Sequence, residues 1–102
     1  MLNKYKKFKE LKKQAKTMET ELATVISEGS AAWNKVKVTI NGNRDLIDVK
    51  IDESMMSPDN KDALQSAIKD AFKDATGTKF QMKLAKKMQE MGGLDALKNL
   101  GG

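Results

Sequence analysis

Lysine is the residue type whose number and spacing offer chemistry in this chain. Lys6, Lys9, Lys13 and Lys16 recur at intervals of 3, 4 and 3, with Lys12 beside the row, so on an α-helix they share one face. Lys79, Lys83, Lys86 and Lys87, at intervals of 4, 3 and 1, form a second such face. A line of ammonium groups can follow a phosphate backbone and release its counterions. Lysine is a point charge without the planar fork of arginine, and Arg44 is the sole arginine. Contacts of this kind position a protein on a nucleic acid without reading its bases. The plain alternative for both rows is a solvated, solubilising surface.

Charge distribution favours the polyanion. The chain of 102 residues carries a net charge of +5. Residues 1–21 contribute +4, residues 22–58 contribute −1 and residues 59–102 contribute +2. The surplus therefore sits at the two ends, and the middle is near neutral. A surplus placed this way suggests a polyanionic partner, most simply nucleic acid. Aromatic residues make up only 5%, too few for the stacking platforms of single-strand and RNA readers.

Other constellations offer little. Asp45, Asp48, Asp52 and Glu53 cluster in sequence, but Lys50 lies among them and the group reads as a charge-balanced strand face. Ser57, Thr76 and Thr78 have no histidine to activate them, because histidine is absent, as is cysteine. Gly92-Gly93 and Gly101-Gly102 lack the strand and Lys-Ser/Thr context of a phosphate loop. No catalytic residue, metal, cofactor or small-molecule substrate is expected, and the chain does not read as an enzyme. Met82, Met88 and Met91, with Met55-Met56, give a different reading, a protein-interaction module that docks partners through its Met-bearing and heptad helices without touching DNA. No apolar run approaches the length of a membrane span, and the start MLNKYKKFKELKKQ lacks the apolar region of a signal peptide. A cytoplasmic protein that does not enter the membrane is expected.

The elements that must hold these lysines are written in the periodicities. Phe8, Leu11, Ala15, Met18, Leu22 and Val25 repeat at 3, 4, 3, 4 and 3, a heptad stripe that predicts a helix over 2–22 packing on the sheet or on a partner helix. β-Branched Thr24, Val25 and Ile26 predict a strand over 23–30, and Trp33 is expected to open the next. Residues 34–53 read NKVKVTINGNRDLIDVKIDE. Val36, Val38 and Ile40 alternate with polar residues before Asn41-Gly42, and Ile47, Val49 and Ile51 alternate after it, predicting a hairpin with two matching apolar faces. Asp52 to Pro58 reads as a loop. Ser57 and Pro58 then start a helix whose apolar face is Leu64, Ala67, Ile68, Ala71, Phe72 and Ala75. Thr76-Gly77-Thr78 predicts a kink before a stripe of Phe80, Leu84, Met88 and Met91. The expectation is an α+β fold in α-β-β-β-α order, one domain over 1–102, with residues 92–102 a flexible Gly-rich tail.

This order resembles the YbaB/EbfC family of bacterial nucleoid-associated proteins. LKKQAKTMETEL (11–22) is similar to the family's first helix. VKVTINGNRDLIDVKIDESMM (36–56) is similar to its strand, Asn-Gly turn and second strand. ALQSAIKDAFKDA (63–75) and KKMQEMGGLDAL (86–97) are similar to its Ala-rich helix and its helix end. The resemblance implies a homodimer whose sheets join, with helices projecting like tweezers onto double-stranded DNA of little sequence preference, in the nucleoid. Two positions depart from the family pattern. Ser30-Ala31-Ala32-Trp33 replaces a Gly-rich link, and Gly77 interrupts a helix that the family keeps continuous.

Overall fold

The computed structural model describes residues 2–92, with side chains from Lys4 onward. The expected tail, save Gly92, lies outside the described residues. The order is α1 (Leu2–Leu22), β1 (Ile26–Ala31), β2 (Val36–Asn41), β3 (Leu46–Ile51), two 3-10 turns (Glu53–Met55 and Pro58–Asn60), α2 (Lys61–Ala75) and α3 (Thr78–Glu90). The strands form an antiparallel sheet in the order β1-β2-β3. This is the expected α+β architecture. The first strand begins at Ile26, later than the β-branched run at 24–26 predicts.

One face of the sheet is buried because α2 lies across β1 and β2. Val36, Val38 and Ile40 point into it and meet Ala67, Ala71 and Ala75, with Met55 and Phe80 closing the core. The contact is unusually close. A Cβ on Gly29 would run into the carbonyl oxygen of Ala71 and the backbone nitrogen of Ala75. Alanine on the helix and glycine on the strand let the two backbones approach. The buried Ser27 hydroxyl then donates to the carbonyl of Ala75 at 2.7 Å.

Three local features depart from the sequence reading. First, the alternation predicts that Ile47 and Val49 match the apolar face of Val36, Val38 and Ile40. Instead Leu46, Ile47 and Val49 are 53%, 52% and 37% exposed, because α2 covers β1 and β2 and stops short of β3. Only Ile51 is half-buried against the core. Second, the Asn41-Gly42 turn is wider than a two-residue hairpin. Asn41 Oδ1 accepts from the N–H groups of Asn43 and Asp45, Arg44 takes the left-handed conformation at φ 65°, and the register slips between Thr39 and Ile40, leaving Ile47 as the extra residue. Third, Trp33 opens no strand. Ala32, Trp33 and Asn34 are all left-handed, at φ 53°, 57° and 66°, and the indole is 96% exposed. Each such residue costs about 1–2 kcal/mol relative to a right-handed conformation, which is the strain a glycine link would avoid.

The kink at Gly77 is present. α2 ends at Ala75, Thr76 turns its hydroxyl back to the Phe72 carbonyl at 3.0 Å, and Gly77 is extended before α3 begins. Ser57 and Pro58 act as expected, but on a 3-10 turn that leads into α2, with the Ser57 hydroxyl accepting from the Asp59 N–H at 3.3 Å. Asp52 caps the preceding turn. Hydrogen bonds from the Ser54 backbone and side chain, with Lys35 adding to them, hold its carboxyl below the ordinary carboxylate value. Its capping contribution is therefore present above that ordinary range and fades as pH falls through the lowered value.

Candidate nucleic-acid interface

A helix of 21 residues extends about 31 Å, and α1 uses that length to leave the body of the molecule, whose extents are 62 by 27 by 16 Å. Among the described residues it is anchored only by its last turn. The final carbonyls of a helix have no partner within it, and here the β2–β3 turn supplies donors. The Gly42 N–H reaches the Leu22 carbonyl at 3.0 Å and the Asn43 side-chain amide reaches the Glu19 carbonyl at 2.8 Å. Thr24 bonds its hydroxyl to the Glu21 carbonyl at 2.6 Å. Gly42 is glycine because of this approach, since a Cβ there would strike the Leu22 carbonyl. It does not sit in the left-handed region.

α3 braces the same root. Lys83 Nζ donates to the Ile26 carbonyl at 2.7 Å, and Lys87 Nζ pairs with Glu21 Oε2 at 3.0 Å. The Arg44 guanidinium lies 5.4 Å from the centre of the fully buried Phe80 ring. α1 and α3 thus leave from one end of the sheet, the end that carries Gly42.

The first lysine row stands as one surface. Lys9, Lys12, Lys13 and Lys16 line an open strip together with Tyr5 and Phe8. Lys6 is exposed on the same helix, and the helical period places it beside Lys9 and Lys13. Lys9 Nζ sits 5.0 Å from the centre of the Tyr5 ring. None of these five ammonium groups has an ion-pair partner among the described residues. The apolar stripe of α1 is also open. Phe8, Leu11 and Ala15 are exposed, Met18 and Leu22 are half-buried, and only Val25, past the helix end, enters the body. The stripe does not pack on the sheet.

The second row is divided. Lys79 lines a shallow groove at the α2–α3 bend with Asp70, Lys73 and Asp74. Lys83, Lys86 and Lys87 face a concavity shared with Thr24, Val25, Ile26 and Glu90. Of the four, Lys83 and Lys87 have protein partners, while Lys79 and Lys86 have none among the described residues. Sequence spacing missed the residues that seat the arm, namely Glu21, Gly42, Asn43 and Thr24. Their periodicity carries no signal, because each acts across a tertiary contact.

The acids do not converge. Asp45 accepts from the Asn41 amide at 3.3 Å, Asp52 caps its own turn, and Asp48 lies opposite Thr39. No group of three or more potential metal ligands occurs among the described residues. No helix among the described residues is long and apolar enough to cross a membrane. Met82 is exposed and Met88 and Met91 are half-buried along α3.

The family model described as the YbaB/EbfC DNA-binding family matches residues 1–94. A nucleoid-associated protein of Dictyoglomus thermophilum is 36% identical over 91 residues, 86% of each chain. A nucleoid-associated protein of Gloeobacter violaceus is 34% identical over 97 residues, 94% of this chain and 86% of its own. The crystal structure of an uncharacterised Helicobacter pylori protein superposes with a TM-score of 0.56 at 22% identity, over 81% of this chain and 92% of that one, and shares the fold.

Proposed function

The chain belongs to the YbaB/EbfC DNA-binding family, and we propose that it is a homodimeric nucleoid-associated protein of the bacterial cytoplasm that grips double-stranded DNA through lysine–phosphate contacts of little sequence preference. The observation that carries this reading is the open row of Lys6, Lys9, Lys12, Lys13 and Lys16 on an arm free of the body. Lys79 and Lys86 extend the basic surface along α3. The names of the relatives support a place in the nucleoid.

The two edges of the sheet support joining through β3. Edge strands expose backbone groups that pair with another chain unless blocked. On β1 the outward Ser30 N–H is taken by Asp74 Oδ2 at 3.0 Å, and the outward Ile26 carbonyl by Lys83. The β3 edge has no such cover among the described residues, and it carries the exposed Leu46, Ile47 and Val49. Leu64, Ile68 and Phe72, four residues apart, line the flank of α2 away from Asp74 and towards β3. Partner β3 strands meeting here would bury both sets of side chains. The substitutions Ile47→Lys and Val49→Lys together are expected to give a folded monomer in sedimentation equilibrium. A dimer that persists would rule out joining at β3.

Duplex binding measured by fluorescence anisotropy across a salt series tests the DNA reading. Neutralising about six phosphates predicts a slope of log K against log salt near −5. A flat response would overturn it.

A further inference from the structure

We infer that Lys83 and Lys87 are positioning residues that clasp α3 to the root of the α1 arm, so that duplex affinity depends on them through arm geometry and not through phosphate contact. This rests on the DNA-binding reading above. The two side chains lie one helical turn apart and face the junction between α3, β1 and the last turn of α1. Lys83 Nζ is 2.7 Å from the Ile26 carbonyl, and Lys87 Nζ is 3.0 Å from Glu21 Oε2. The Lys87 side chain is only 19% exposed, against 45% for Glu21. Lys86 and Glu90 share the same concavity. A phosphate would have to draw both ammonium groups away from partners they already hold.

The clasp matters because of leverage. Among the described residues α1 is seated at one end only, by Gly42, Asn43, Glu21 and Thr24. A rotation of about 10° at that root moves the tip of a helix some 31 Å long by roughly 5 Å. That displacement is enough to take the outer lysines of the row off a phosphate backbone. Glu21 is the only residue of α1 that pairs with a charged side chain of α3 among the described residues, so it forms the other half of the clasp.

The test uses the full chain, which has no cysteine of its own, so spin labels can be placed cleanly by Thr17→Cys on α1 and Gln89→Cys on α3. Labelled chains are diluted with unlabelled ones, and the distance distribution between labels is read alongside duplex affinity and its salt slope. Lys87→Gln is expected to broaden the distance distribution and to weaken binding up to about fivefold, with an unchanged salt slope. Exchanging the charges, with Glu21→Lys and Lys87→Glu together, should restore both the narrow distribution and the affinity. An unchanged distribution in Lys87→Gln would overturn the clasp, and a salt slope reduced by about 0.9 would mark Lys87 as a phosphate contact and overturn it likewise. Failure of the charge exchange to restore the distribution would also overturn it. Should the unsubstituted protein bind no duplex, the DNA reading fails on that measurement alone, and the distances still decide the clasp.

Discussion

Exchanging Lys9, Lys12, Lys13 and Lys16 together for glutamine should weaken duplex binding on the order of ten-thousandfold near 0.1 M salt, with the fold and the oligomeric state unchanged. Each phosphate neutralised contributes roughly tenfold at that ionic strength through counterion release, and these four side chains share one uninterrupted strip. None is buried and none is tied to another protein group by an ion pair among the described residues. Their removal therefore costs the folded state little, and relieving repulsion between like charges along α1 favours the helix slightly. The salt slope should flatten in step with the affinity, which anisotropy titrations at several salt concentrations measure directly. Retained affinity with an unchanged slope would mean that these lysines are solvation only and that the protein-interaction reading is the better one.

Gly29→Ala should destabilise the fold by about 3 kcal/mol, at the upper end of what an extra core methyl costs. The atoms in its way are the carbonyl oxygen of Ala71 and the nitrogen and Cα of Ala75. All are helix backbone, so no side-chain rotation can make room, and α2 has to lift from β1. Lifting it also loosens the hydrogen bonds from Ser27 to the Ala75 carbonyl and from Ser30 to Asp74. Small domains have only about 5–15 kcal/mol in all, so the urea midpoint should fall sharply. Gly42→Ala is the informative contrast. Its methyl meets the Leu22 carbonyl at the end of the arm and nothing of the core. It should leave the urea midpoint nearly unchanged and lower duplex affinity, because the arm loses its seat. A Gly29→Ala protein with an unaltered midpoint would show that the close approach of α2 to β1 is not a constraint.

Much of the fold follows from local patterns. Period-two alternation at Val36, Val38 and Ile40 locates a strand because side chains of a strand alternate between faces wherever it packs. Heptad spacing from Phe8 to Leu22 locates a helix for a similar reason, and the break at Gly77 is signalled by glycine's poor helix propensity. The family resemblance carried by residues 36–56 is local in the same way, and the family match covers residues 1–94. The turn was the weaker part. Asn41-Gly42 signals a tight hairpin, yet Gly42 serves the approach of Leu22, and Arg44 takes the left-handed conformation.

The candidate site divides along the same line. The row from Lys6 to Lys16 was legible because it lies on an isolated helix, where helical spacing alone decides which side chains are neighbours. The row from Lys79 to Lys87 has comparable spacing, but two of its members face Ile26 and Glu21 across 57 and 66 residues of chain. Nothing in local spacing distinguishes a lysine that faces solvent from one that faces a distant carbonyl.

By itself, then, the sequence determined the elements, their order, the basic character of both ends and the absence of histidine and cysteine chemistry, because each depends on composition or on short-range periodicity. Only the tertiary structure decided which apolar faces are covered, which sheet edge is closed and which lysines are already occupied. Those outcomes depend on where α2 settles, and glycine and alanine at 29, 71 and 75 set that position by letting two backbones touch. With α2 over β1 and β2, β3 and the stripe of α1 remain open, and the same alternating pattern yields a core on β2 and an exposed apolar edge on β3.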